Sequence, residues 1–134
     1  MRPPEEARLQ LLCQWLEKAE GDWRVSHRLL GDSEPHAEAI AFHAQQAVEK
    51  YLKALLTWHQ VEFPKTHDIK RLLGLVSSCD SALAELLAGA AELTTYAVEY
   101  RYPGENPPVT ADDAAQAVAL ADLVRDRIRG RLPL

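Results

Sequence analysis

The stretch "HAEAIAFHAQQAVEKYLKALLTWH", residues 36–59, decides the fold class because it carries the period of an α-helix without interruption. Its apolar side chains recur every three or four residues, which keeps them on one side of a helix. These side chains are Ile40, Ala44, Ala47, Val48, Tyr51, Leu52 and Leu55. The pattern predicts a helix over residues 36–59 that buries this side in a core.

The same helix carries a second set of side chains, which we call the polar stripe. It consists of His43, Gln46, Lys50 and Lys53. At about 100° per residue, this stripe lies well over a right angle from the apolar side. Cations beside uncharged hydrogen-bonding groups suit a bound ligand or partner, although charges on a helix are usually a solvated face. Both interpretations stay open at this point.

The rest of the chain also reads as helical. Apolar periodicity predicts a first helix over residues 5–30 and a fourth over residues 81–100. Thr66 is expected to cap a short third helix, and Thr110 a fifth. Short connections favour antiparallel neighbours. We therefore expect one all-α domain over residues 1–134, an antiparallel bundle of four long helices and one short helix.

Charge and composition exclude several classes of protein. The 134 residues carry a net charge of −5, which disfavours a protein whose whole surface binds nucleic acid. Cys13 and Cys79 are isolated, and no His or Cys pair has metal-binding spacing, so we expect no disulfide, metal or cofactor. No apolar run approaches the ~18 residues of a membrane span, and the first residues do not resemble a signal peptide. We expect a cytoplasmic protein.

The predicted fourth helix ends in unusual chemistry, "LTTYAVEYRYPG", residues 93–104. Arg101 lies in phase with the apolar residues of that helix, and three tyrosines surround it: Tyr96, Tyr100 and Tyr102. The arginine is either a cation that interacts with the last helix carbonyls or a planar donor for a phosphate group. In the second case a tyrosine ring could stack on a base.

A further basic region surrounds His67, which is accompanied by Lys65, Lys70 and Arg71 in an otherwise acidic chain. A lone histidine is a weak catalytic signal unless a partner lies near it. His67 is therefore a candidate whose role depends on its neighbours in the fold.

Three segments in this order, "FHAQQAVEKYLKALL", "FPKTHDIKRLL" and "LTTYAVEYRYPG", resemble the HEPN domain. The resemblance implies a homodimeric helical bundle, often encoded beside a minimal nucleotidyltransferase in a toxin–antitoxin module. Many members of the family are metal-independent ribonucleases, and others have been proposed to bind nucleotides. The ribonucleases use an arginine and a histidine that are separated by four to six residues. Arg101 matches the arginine, but positions 106–108 are Asn, Pro and Pro.

The missing histidine favours a binding protein over a nuclease. We expect a nucleotide or RNA phosphate to bind in a groove between the second and fourth helices, with a minimal nucleotidyltransferase as the partner protein. The expected ligand-binding residues are Arg101, Lys50, Lys53, His43, Gln46, Tyr96 and Tyr102. One alternative is an RNA endonuclease toxin with a rearranged site, in which His43 or His67 acts with Arg101. Another is a protein-interaction module without a small ligand.

Overall fold

The computed structural model describes residues 3–97, 103–104 and 107–134, and all regular secondary structure in these ranges is helical. The elements are α1 (Pro3–Leu30), α2 (Ala37–Trp58), α3 (Ile69–Cys79), α4 (Ser81–Leu86), a 3₁₀ helix (Ala88–Tyr96) and α5 (Ala111–Arg129). The all-α helical bundle is confirmed. No helix in the described ranges combines the length and the apolar character needed to cross a membrane.

The first two helices run antiparallel along each other. Near the start of α1, the guanidinium of Arg8 lies 3.7 Å from the ring centroid of Trp58 at the end of α2. Further along α1, Asp22 bonds His43 in the first half of α2. Residues near the start of α1 thus face residues near the end of α2, as expected for two helices with a short connection.

Helix α5 lies antiparallel to α1 and closes the bundle. Trp23 Nε1 donates to the Asp122 carboxylate at 2.7 Å, and Arg125 Nε lies 3.1 Å from both carboxylate oxygens of Glu20. The Arg125 guanidinium also stacks on the Trp23 ring, 3.8 Å from its centroid. A polar and aromatic seam therefore joins these two helices beside the apolar core.

The predicted apolar side of α2 lies at the centre of the core. Each residue on this side is at most 4% exposed, and Tyr51 is the largest fully buried side chain among the described residues. Neighbouring helices cover this face, so the prediction for α2 is confirmed.

The helix caps give one confirmed prediction and one correction. Thr110 Oγ1 accepts from the Asp113 amide at 3.0 Å, and the Asp113 carboxylate accepts from the Thr110 amide at 2.9 Å, a complete capping box. For α3, the Thr66 cap is wrong: Asp68 caps this helix and accepts from the amide of Lys70 at 3.0 Å. Asp68 immediately precedes the first helical residue, and Thr66 instead accepts from the Asp68 amide.

The predicted fourth helix is also corrected. Instead of one α-helix over residues 81–100, α4 ends at Leu86 and a 3₁₀ helix follows over Ala88–Tyr96. Gly89 lowers the α-helical propensity of this stretch. A 3₁₀ helix has about 3.0 residues per turn rather than about 3.6, so the α-helical phase that placed Arg101 on the apolar side does not carry through it. Arg101 itself lies outside the described residues.

Removal of the α5 cap should measure what that capping box contributes. We expect Thr110→Ala to lower the free energy of unfolding by about 1 kcal/mol, because the Asp113 amide loses its acceptor. Urea denaturation followed by circular dichroism measures this change. Ser77→Ala is the matched control, since Ser77 is exposed within α3, and it should change stability by less than about 0.5 kcal/mol. Equal effects of the two substitutions would contradict the role of the cap.

Candidate functional site

A buried carboxylate lies at the centre of the candidate site. The Glu49 side chain on α2 is only 3% exposed, and Lys53 Nζ, one helical turn later, donates to it at 2.7 Å. Gln45 Nε2, one turn earlier, donates to its other oxygen at 2.9 Å. An ionised carboxylate tolerates burial only with such partners.

His67 is the third partner of Glu49 and brings the cluster to the surface. Its Nδ1 lies 2.9 Å and 3.1 Å from the two carboxylate oxygens, while its side chain is 67% exposed. An ionised carboxylate only accepts hydrogen bonds, so Nδ1 carries the proton that the pair shares. In the neutral ring, Nε2 then holds a lone pair, and none of the described residues bonds it. The arrangement is an oriented imidazole with a free nitrogen.

The loop before α3 fixes the position of His67. Asp68 caps α3, and the amide of Ile69 donates to Thr94 Oγ1 in the 3₁₀ helix at 3.1 Å. His67 therefore lies where α2, the start of α3 and the 3₁₀ helix meet.

Burial and hydrogen bonding act in opposite directions on Glu49. Burial raises the pKa of its carboxyl, but the hydrogen bonds from Lys53, His67 and Gln45 outweigh this effect and hold the pKa below its usual value. Glu49 is therefore ionised at neutral pH.

A second carboxylate, Asp22 on α1, organises the other half of the polar stripe. Its side chain is 14% exposed; one oxygen lies 2.9 Å from His43 Nδ1, and Lys50 Nζ donates to the other at 2.5 Å. Gln46 donates to the Gln45 side chain at 2.7 Å. The interpretation of the stripe as a solvated face is wrong, because its two lysines are paired with carboxylates. His43 and Lys50 contact α1, whereas the predicted groove lay between α2 and the fourth helix.

The cations around His67, unlike the lysines of α2, lie at the surface. Lys65, Lys70 and Arg71 are exposed, and within the described part of the chain no carboxylate forms an ion pair with them. We call these three residues together with His67 the His67 surface.

Three predicted site residues remain. Tyr96 ends the 3₁₀ helix and lines a groove with Pro107, Pro108 and Val109. Arg101, Tyr100 and Tyr102 lie outside the described residues. The structure thus brings His43 and Lys50 together at Asp22, and Lys53 and His67 together at Glu49.

Sequence reasoning missed Asp22, Gln45 and Glu49, which hold the predicted residues in place. The sequence does contain a pattern that could have identified Glu49. This carboxylate precedes Lys53 by one helical turn and is next to the apolar side of α2. Asp22 has no comparable signal. Across the residues that the structure describes, His, Cys, Asp and Glu side chains form no group of three suited to a metal ion.

The comparison with protein families identifies the fold. The model of the HEPN domain matches residues 13–131, nearly the whole chain. The chain belongs to the HEPN family. The crystal structure of TT1696 from Thermus thermophilus is similar, with 28% sequence identity and a TM-score of 0.72 over 90% of this chain and 98% of that one. No curated protein sequence matches this HEPN chain.

Substitution of the buried carboxylate should be costly at neutral pH. We expect Glu49→Gln to destabilise the protein by about 3–5 kcal/mol at pH 7, because Lys53 stays buried without its counter-charge. Because the pKa of Glu49 is lowered in the folded protein, its ionised carboxylate contributes fully to the free energy of unfolding above the usual pKa of 4.5. This contribution is lost as the pH falls through the pKa of the folded state. The difference in the free energy of unfolding between the wild type and Glu49→Gln should therefore become smaller below pH 4.5.

Urea denaturation at several pH values measures this difference. Glu62→Gln removes an exposed carboxylate from the neighbouring loop and should change stability by less than about 0.5 kcal/mol. A Glu49→Gln variant as stable as Glu62→Gln at neutral pH would contradict the account of the cluster.

Proposed function

We propose that this HEPN protein binds the phosphate groups of a nucleotide or RNA at the His67 surface, as the partner of a minimal nucleotidyltransferase. One observation carries the proposal: an exposed imidazole, held by the buried Glu49 carboxylate, lies within a run of three exposed cations that have no described carboxylate partner. Anions bind where several donors converge and internal counter-charges do not neutralise them.

In this proposal the lysines of α2 hold the site together, and the cations of the following segment contact the phosphates. Lys50 and Lys53 are paired with Asp22 and Glu49 inside the bundle, so they act mainly by holding the site together. Lys65, Lys70 and Arg71 are the residues that meet the phosphates. His67 adds a donor from Nε2 when its ring is protonated.

Three parts of the proposal rest on the family resemblance. They are the nucleotidyltransferase partner, the toxin–antitoxin setting and the homodimer. Arg101 and Tyr102 stay in the proposal as a further cation and a further ring, contributed by the segment that follows the 3₁₀ helix.

Phosphate binding predicts a dependence on salt. A fluorescein-labelled single-stranded RNA of about twelve nucleotides should bind more weakly as salt rises, with a logarithmic slope of about −0.7 per phosphate contacted. A variant that combines Lys65→Gln, Lys70→Gln and Arg71→Gln should bind more weakly and show a slope shallower by up to about 2. Fluorescence anisotropy at several salt concentrations measures both quantities.

The control removes the same number of charges elsewhere. Lys18, Arg24 and Arg28 are exposed on α1 and have no ion pair with any residue in the described ranges. Their combined replacement by Gln should leave most of the affinity and the slope intact. If the two triple variants lose equal RNA affinity, binding depends only on the net charge of the protein, and the assignment of the His67 surface is overturned.

A second function, RNA cleavage, is favoured by the geometry of the Glu49–His67 pair. With Nδ1–H held by the carboxylate, the free lone pair on Nε2 can take the proton from a ribose 2′-hydroxyl. The deprotonated oxygen then attacks the adjacent phosphorus to form a 2′,3′-cyclic phosphate, and the 5′-oxygen leaves as a hydroxyl with the proton that Nε2 returns. His43 is held by Asp22 in a similar way, but its side chain is only 25% exposed.

This second function predicts cleavage of RNA in the presence of EDTA. His67→Asn should abolish the cleavage, whereas His43→Asn should retain it because the less exposed ring does not reach the substrate. Gel analysis of structured and unstructured RNAs with both variants decides the question. Absence of cleavage by the wild-type protein would exclude the nuclease and leave the binding function.

A further inference from the structure

An apolar groove of about 460 Å³ lies where the start of α1 meets the end of α2, and its last lining residue, Phe63, is two residues before Lys65 of the His67 surface. Its apolar lining comes from Leu11 and Trp15 on α1 and from Val61 and Phe63 in the loop after α2. Leu11 is 47% exposed and lines the groove together with Trp15, Val61 and Phe63, so the apolar surface here is a patch of several side chains. The proposed phosphate contacts do not use this groove.

The end of α2 explains why the groove exists. Gln60 has a left-handed backbone with φ of 57°, its amide bonds the Thr57 carbonyl at 3.1 Å, and the Val61 amide bonds the Leu56 carbonyl at 2.9 Å. These two bonds form the Schellman motif that commonly ends a helix. After this motif the chain turns back toward α1, where the Phe63 ring meets the Trp15 ring.

A continuous series of contacts connects the groove to the His67 surface. The rings of Trp15 and Phe63 meet edge to face with centroids 6.0 Å apart, and Lys53 Nζ lies 5.6 Å from the Trp15 centroid. Lys53 then pairs with Glu49, which holds His67. Lys53 therefore links the Trp15 ring to the carboxylate that holds His67.

Two cations are close in sequence to residues that line the groove. Arg8, about one turn before Leu11, stacks on Trp58, and its Nε is buried without a hydrogen-bond partner among the described residues. Lys65 follows shortly after Phe63 and is exposed. Glu62, between the apolar loop residues, adds a carboxylate acceptor to the lining. An apolar lining with a carboxylate acceptor suits a base, and the exposed Lys65, two residues after Phe63, suits the phosphate next to it.

We infer that this groove is a base subsite, which takes one unpaired base of a single-stranded RNA whose phosphate lies on the His67 surface. The inference rests on the proposed function, because the phosphate contacts hold the strand beside the groove. Phe63 and Trp15 provide the apolar and aromatic contact, and Glu62 accepts a hydrogen bond from an amino group of adenine or cytosine. A paired base cannot enter, since its faces are stacked within the duplex.

The test compares three labelled probes of equal length: an oligoadenylate, an abasic ribose-phosphate strand, and an RNA duplex. We expect the oligoadenylate to bind about fivefold to a hundredfold more tightly than the abasic strand, which corresponds to contact with a single base. The duplex should bind more weakly than the oligoadenylate although it carries more charge. Phe63→Leu should remove most of the preference for bases and leave the salt slope unchanged.

Two further variants make the result decisive. Val25→Ala removes another exposed apolar side chain of α1, 39% exposed, and should keep the full preference for oligoadenylate. Leu11→Gln places a polar group at the exposed edge of the groove and should act as Phe63→Leu does, even if the Phe63 variant proves unstable in thermal melting.

The possible failures can be told apart. Equal affinity for oligoadenylate and abasic strand, with the Lys65, Lys70 and Arg71 effects intact, would overturn the base subsite and leave the phosphate surface. No binding of any probe would overturn the proposed function and with it the subsite. Unchanged RNA affinities for Phe63→Leu together with a changed mass in sedimentation would assign the groove to protein association and overturn the inference.

Discussion

The ion pair between Glu49 and Lys53 is the constraint on which the rest of the site depends. Both side chains lie on α2 and are almost completely buried, so each would be strongly unfavourable without the other. Their pairing allows α2 to pass through the middle of the bundle with charges on one side and the apolar core on the other. Because the carboxylate has further acceptor capacity, it also fixes His67 at the surface, 18 residues further along the chain.

This constraint divides the cations of the HEPN chain into two groups with different roles. The lysines of α2 neutralise internal carboxylates, whereas the cations of the following loop and of α3 stay at the surface. A protein with a net charge of −5 can therefore present a local basic surface, because its internal charges cancel in pairs. The aromatic groove beside Trp15 contacts the internal group through Lys53, and the basic surface contacts it through His67.

Local sequence signals predicted much of the fold and little of the site. The buried side of α2 and the Thr110 cap of α5 were predicted correctly, since periodicity and capping depend on residues a few positions apart. The fourth helix was wrong because the change from α to 3₁₀ geometry near Gly89 reflects packing against other helices as well as propensity. Asp68 caps α3 instead of the predicted Thr66. Both are good capping residues, and the position at which the loop ends decides which of them precedes the first helical residue.

The sequence by itself determined that the chain is a helical bundle, which side of α2 is buried, and that cations collect near His67. These properties follow from composition and from spacing within one helix. Only the tertiary structure decided which cations are neutralised and which are exposed. Asp22 meets Lys50 across 28 positions, and Glu49 meets His67 across a turn and a loop. Such contacts depend on how α1 and the loop dock against α2, because the partners are adjacent in space and distant along the chain.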